Sequence, residues 1–213
     1  MNSDKERNKV GARRTPSAFA RMERMPPMLM LLYLGMVGIT VLFVILVGAY
    51  AQTRYLSNLP SGLHPFPRYF SISTIVLLVS SYTVNQARRL YQQDDVSNLV
   101  RCLGATMLLG AIFTGLQILG WRELAAQGAL FTGESSYTYV YLISALHVAH
   151  VLGGLLYLLV LMLRTSHASR DAVRTLVFIR NPYRRLQLRI LTVYWHFIDV
   201  VWLGLFVIFL FLY

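Results

Sequence analysis

Long apolar runs, separated by short polar and arginine-rich segments, set the rhythm of this chain. Five such runs fall at roughly Met28–Tyr50, Tyr69–Gln86, Leu99–Trp121, Tyr137–Leu163 and Ile190–Tyr213. Each reaches or approaches the roughly 20 residues that a helix needs to cross a bilayer core of about 30 Å. The pattern predicts an all-α membrane protein, a five-transmembrane-helix bundle. The second run is the most dilute, because Tyr82, Asn85 and Gln86 sit at its end.

The segments between the runs carry their own signals. Residues 1–27 are polar, basic and proline-containing, and read as a cytoplasmic tail ahead of a transmembrane domain over residues 28–213. Residues 52–68 hold Pro60, Gly62, Pro65 and Pro67, which predicts an irregular connection that is not helical throughout. The stretch from Arg164 to Arg189 is long enough for a short interfacial helix around Asp171–Ile179, stopped by Asn181-Pro182. Ala49-Tyr50-Ala51 has the small residues of a signal-peptide cleavage site. The first apolar run, however, exceeds the about 7–15 residues of a secretory signal, so a retained anchor is expected.

Composition and charge sharpen this picture. Only 14% of the 213 residues are charged, against about 25% in a soluble domain. The single cysteine, Cys102, excludes an internal disulfide, a four-thiolate metal site and a C-x-x-C-H haem attachment. The formal charge of +11 would suit nucleic acid, but its distribution does not. Seventeen of the 20 Lys and Arg fall in the first tail and in the loops after the second and fourth runs, leaving Arg54, Arg68 and Arg122 for the other side. The positive-inside rule then places the N-terminus in the cytoplasm and the C-terminus in the periplasm. The basic residues serve topology and lipid contact, with no nucleic-acid partner. Arg88-Arg89 and Arg184-Arg185 are candidates to meet lipid phosphates or a partner's acidic loop.

Candidate chemistry is concentrated in the last two runs. Tyr194-Trp195-His196-Phe197-Ile198-Asp199-Val200-Val201-Trp202 places a histidine and an aspartate three residues apart inside an apolar segment. His147 and His150 repeat that spacing one run earlier. A separation of three puts each pair on one helix face, and ionisable groups at membrane depth demand partners. At about 1.5 Å of rise per residue, Asp199 lies roughly 14 Å and His150 roughly 20 Å from the cytoplasmic boundary. The four are read as one buried polar network, with the carboxylate fixing a histidine tautomer or holding an imidazolium.

Three roles fit such a network: a metal or haem site, a proton relay, or a structural joint between helices that also contacts lipid or water. The usual bundle di-metal pattern needs several glutamates, and no run holds a Glu clearly within the hydrocarbon. Ala145, Ala149 and Gly153 form a small-residue ridge expected to let a neighbouring helix approach closely. Gln117, Asn85 and Gln86 are expected in interhelical hydrogen bonds, and Ser73, Ser80 and Ser81 at packing positions. Trp121, Trp195 and Trp202 read as interface anchors, although Trp202 lies deep for that role.

The Tyr194–Trp202 segment closely resembles the last-helix signature of subunit III of haem-copper oxidases. Leu146-His147-Val148-Ala149-His150-Val151-Leu152-Gly153 resembles the paired-histidine motif of that family's penultimate helix. The likeness covers about residues 28–213 and is greatest to the five-helix bacterial form found with aa3 or caa3 cytochrome c oxidases. Gly38-Ile39 departs from it, standing where many members place a Ser-Glu pair.

The resemblance implies an accessory subunit of the bacterial inner membrane with no metal or cofactor of its own. Haem and copper would reside in the partner subunits I and II, within an assembly that can include other respiratory-complex subunits. It also implies bound phospholipid, support of proton uptake and protection of the oxidase during turnover. Subunit III of a quinol oxidase, or a relative assisting nitric oxide reductase, is the alternative within the same family. An independent membrane haem or metal protein, or a small transporter, would be another class; no inverted repeat supports the transporter.

Overall fold

The computed structural model describes residues 26–56, 67–129, 131 and 135–212. The basic tail and most of the first external loop therefore lie outside the described residues. Among the described residues every regular element is a helix: α1 (Pro27–Leu56), α2 (Arg68–Gln92), α3 (Val96–Ala126), α4 (Ser135–Ala168), α5 (Ala172–Arg180) and α6 (Pro182–Leu212). The chain divides into two compact units between Gly35 and Met36; the first holds the opening turns of α1 and the second holds the rest.

Local chemistry sets the helix ends. Pro27 and Pro182 open α1 and α6, where a fixed φ is pre-organised and the missing N–H is not needed. Asp95 caps α3 by accepting from the Asn98 N–H at 3.0 Å, and Asp171 caps α5 by accepting from Val173 N–H at 3.2 Å. Asn181, extended at φ −83° and ψ 111° because a proline follows it, ends α5 and accepts from the Tyr183 N–H at 3.0 Å. The short helix expected around Asp171–Ile179 is therefore present one residue later.

Among the described residues, four helices are long and apolar enough to cross a membrane: α1, α3, α4 and α6. The sequence pattern had called for five spans. The remaining long helix, α2, has 25 residues, ample for a span at about 1.5 Å per residue, but its polar residues dilute it. Their placement explains the dilution. Ser73, Thr74 and Ser80 are buried, and α2 packs most extensively against α3 and also against α6.

Each of these hydroxyls donates to a carbonyl of its own helix, Ser73 and Thr74 to Phe70 at 2.8 Å and Ser80 to Leu77 at 2.7 Å. That leaves their lone pairs to accept from Gln117 Nε2 at 2.8 Å, Trp202 Nε1 at 2.9 Å and Trp195 Nε1 at 3.0 Å respectively. The polarity of α2 is spent on joining helices. Gln117 thus joins helices as expected, whereas Asn85 is exposed.

Trp195 and Trp202 are 0% exposed, so both are core residues and not interface anchors. Trp195 fills the space left by two glycines: a Cβ on Gly110 would come within 3.1 Å of its ring, and one on Gly154 within 3.5 Å. Trp121 donates its indole N–H to Ser144 at 2.9 Å, which joins α3 to α4. The expected Ala145–Ala149–Gly153 ridge is exposed, and a Cβ on Gly153 would meet nothing. The buried stripe of α4 runs instead through Ile143, Ser144, His147, Val151, Leu158 and Thr165, turned away from that ridge by the helical period.

Candidate functional site

α4 and α6 bring their ionisable residues to the middle of the bundle, yet not to one another. His147 is 0% exposed. Its ring lies among Phe43 of α1, Phe113 of α3 and Trp202 of α6, with centroids 6.2, 5.9 and 5.0 Å away. Neither of its ring nitrogens is hydrogen-bonded. One turn on, His150 Nδ1 lies 2.7 Å from the Leu146 carbonyl. A carbonyl can only accept, so this nitrogen carries the proton. The His150 carbonyl in turn accepts from the Tyr194 hydroxyl at 3.0 Å.

The α6 pair faces α2. His196 Nδ1 is 2.8 Å from Ser81 Oγ and 4.0 Å from Asp199 Oδ2, with side-chain exposures of 40% and 4%. The longer separation exceeds hydrogen-bond reach. Ser81 lies beside the Asp199 carboxyl as well, whose two oxygens are buried without a hydrogen bond of their own.

The expected single network of His147, His150, His196 and Asp199 is therefore not formed by direct hydrogen bonds. The reason is geometric. Tyr194 lies on the side of α6 that meets α4 and His196 on the side that meets α2, while Trp195 and Trp202 fill the space between and donate to Ser80 and Thr74 of α2. The α4–α6 seam is aromatic, made by the His147–Trp202 ring contact and the Tyr194 hydroxyl. Sequence reasoning assigned Phe43, Phe113, Trp202 and Tyr194 no part in it. Tyr194 was legible as a polar tip on an apolar body inside the motif itself, but the phenylalanines gave no signal beyond bulk.

Among the described residues no three His, Cys, Asp or Glu side chains converge as metal ligands. His147 is enclosed by rings, His150 donates to its own helix, and His196 and Asp199 stand 4.0 Å apart beside Ser81. What the arrangement can do is join helices and hold ionisable groups at membrane depth.

These features define a class: a polytopic helical membrane protein. The cytochrome c oxidase subunit III family model matches residues 58–213, which takes in both histidine motifs, and the chain belongs to that family. Cytochrome c oxidase subunit 3 of Bacillus sp. strain PS3 is 36% identical over 180 residues, covering 83% of this chain and 81% of the relative. The Bacillus subtilis protein of the same name is 33% identical over 183 residues, at 83% and 81% coverage. Cytochrome bo(3) ubiquinol oxidase subunit 3 of Pseudomonas aeruginosa is 31% identical over 170 residues, at 79% and 77% coverage.

Proposed function

We propose that this chain is the accessory third subunit of a proton-pumping cytochrome c oxidase of the aa3 or caa3 type in a bacterial inner membrane. It carries no redox cofactor and packs beside subunits I and II, which hold the haems and copper. The observation that carries this reading is the pair of motifs around His147–His150 and His196–Asp199, held within a family match and within relatives named for cytochrome c oxidase. All five long helices span the membrane in this reading, with the N-terminus cytoplasmic and the C-terminus periplasmic. Support comes from the arginines at the ends of α2, α4 and α5 and the starts of α3 and α6, which the positive-inside rule puts in the cytoplasm.

The chain contributes a rigid scaffold of interhelical hydrogen bonds and aromatic contacts, a surface for phospholipid, and a half-exposed His196 beside a buried Asp199. That pair sustains turnover of the catalytic subunit by preserving the shape and hydration of the adjoining surface. Purification in mild detergent should yield the chain with haem- and copper-bearing subunits. Asp199→Asn removes a buried ionisable group while keeping its volume. It should lower the yield of assembled complex or shorten sustained turnover, with the haem spectrum per intact complex unchanged. Loss of that spectrum from an otherwise intact complex would contradict a cofactor-free role.

A quinol oxidase is the second reading, favoured by the match to relatives named for ubiquinol and quinol oxidases. Assaying the complex with reduced cytochrome c and with quinol separates the two, and so does copper analysis of the partner subunits.

A further inference from the structure

One long face of α4 is left open by the other described residues. Ala145, Ala149, Leu152, Leu156, Val160 and Leu163 are all exposed, and steps of three and four residues keep them on one side of the helix. At about 1.5 Å per residue this stripe rises about 27 Å, close to the roughly 30 Å of a bilayer core. Its first half is a ridge of small residues. Gly153 lies one turn on from Ala149, and a Cβ there would meet nothing within 4 Å. Small residues in a membrane let a second helix backbone come close.

The stripe continues into His167 and ends at a cavity of about 520 Å³. Leu163, Arg164 and His167 of α4 line it, with Arg174 and Val177 of α5 and Arg184 of α6. Leu163 and Val177, 57% and 64% exposed, make apolar walls. The arginines make the cavity cationic. Among the described residues only Arg174 of the three has a carboxylate within ion-pair distance, Asp171 at 3.7 Å. Arg174 also donates to His167 Nε2 at 2.7 Å; a guanidinium has no acceptor, so that nitrogen carries no proton and the imidazole is neutral. Arg184 lies over the Phe178 ring, 5.3 Å from its centroid, and its Nε is buried without an acceptor. Three guanidiniums therefore share one carboxylate around an apolar hollow.

Charge and shape together select the occupant. A second copy of the chain in the same orientation would set arginines against arginines. Residues 1–25 carry seven Lys and Arg against three acids, so the chain's own tail is repelled as well. A phospholipid would answer the arginines but gains nothing from the small-residue ridge. A transmembrane helix with an acidic end answers both.

We propose that the open face of α4 and the cavity at its end receive one transmembrane helix of a partner subunit, whose cytoplasmic end seats an Asp or Glu among Arg164, Arg174 and Arg184. This deepens the accessory-subunit reading and rests on it for the orientation. Membrane helices tend to carry Lys and Arg at that end, so an acidic one makes the contact selective.

The test uses the intact complex in its membrane, with Leu156 or Val177 replaced by photoreactive p-benzoylphenylalanine. Both positions should cross-link to one partner polypeptide. Leu156 should map within its transmembrane helix, and Val177 to a peptide at that helix's cytoplasmic end containing Asp or Glu. Arg164→Glu should lower the Val177 cross-link about fivefold, the scale of one exposed ion pair, and changing the mapped acid to Arg should restore it. If Arg164→Glu stops assembly, Arg164→Gln should show the smaller loss. Ala149→Phe should reduce retention of the partner in detergent about tenfold, as overpacking does. The unfolding midpoint of the isolated chain should not move, because Ala149 is exposed.

Cross-links to phospholipid alone, to a second copy of this chain or to its residues 1–25 overturn the proposal. So do cross-links from the two positions to different polypeptides, or a Val177 peptide without an acid. If one polypeptide meets every condition but no oxidase subunit co-purifies, the docking face stands and the proposed function fails, so the two failures are distinct.

Discussion

α1 and α2 are opposites. α1 is the most apolar helix of the chain, yet little of it is buried; Leu31, Leu34, Val41 and Ile45 are all exposed. α2 falls short of the apolarity of a span, yet its Phe70, Ser73, Leu77, Ser80, Val84 and Ala87 are buried. Apolarity here reports what a helix shows to lipid, not how much it packs. In a bilayer the tails are as apolar as leucine, so helices associate through close packing and hydrogen bonds. α2 supplies both, and α1 contributes chiefly Phe43 beside His147 and His150, and Tyr50 beside Phe209.

The largest test of this contrast uses glycine. A Cβ added to Gly120 of α3 would collide with the Phe70 ring, which is itself 0% exposed and has nowhere to go. Gly120→Ala should therefore destabilise the α2–α3 contact by about 1–3 kcal/mol, the usual cost of overpacking. A Cβ at Gly38 of α1 would meet nothing within 4 Å. Gly38→Ala should be neutral or stabilising by up to about 1 kcal/mol through helix propensity. Unfolding midpoints of the two variants in detergent measure the difference; equal destabilisation would erase the distinction between the helices.

Threonine gives the next test, because Thr40 and Thr74 make the same local bond. Each hydroxyl donates to the carbonyl four residues back, at 2.8 Å. Thr40 is exposed, whereas Thr74 is buried and also accepts from Trp202 Nε1 at 2.9 Å. Thr74→Val keeps the shape but strands a buried indole N–H, at about 1–3 kcal/mol in a soluble core and nearer 1 kcal/mol in a membrane. Thr40→Val should change stability by less than about 0.5 kcal/mol. An indole N–H resonance for Trp202 that shifts in Thr74→Val alone would identify the bond directly.

The same contrast explains what was legible. Apolar runs locate α1, α3, α4 and α6 because their lipid-facing surfaces are continuous, but the helices outrun them, α1 ending at Leu56 beyond the run's Tyr50 and α6 beginning at Pro182 before the run's Ile190. Asp171 and Asn181-Pro182 located α5 because caps and prolines act locally. The two histidine motifs were visible because ionisable groups are rare at membrane depth. Their partners were not. A spacing of three fixes which residues share a face, but not which neighbour that face meets. Ser81, read as a packing position, became the partner of His196 only through the rotation of α6 about its axis. That rotation is set by Trp195 seating between Gly110 and Gly154, a long-range fit that no local pattern carries.

The smallest expected effect lies in the turn that binds α2 to α3. Asp94 adopts φ +59°, a left-handed conformation that aspartate tolerates. Asp95 then accepts from the Asn98 backbone N–H at 3.0 Å and from its side-chain amide at 2.6 Å. The backbone N–H of Asn98, with its side-chain amide second, holds the Asp95 carboxyl below its ordinary value. A carboxyl depressed in the folded state stabilises at pH above its unfolded value and loses that contribution as pH falls through the folded one. Protection of the Asn98 amide, taken as its exchange rate relative to that of an unstructured peptide at the same pH, should therefore fall as the solution is acidified below the usual carboxylate range. Asp95→Asn keeps a capping oxygen but has no charge to lose, so it should flatten that pH dependence while leaving exchange at neutral pH nearly unchanged. The first turn of α1 begins at Pro27 with no acidic residue, so exchange there should show no such acid-linked step. A matching step in α1 would mean that the cap is not what distinguishes the α2–α3 junction.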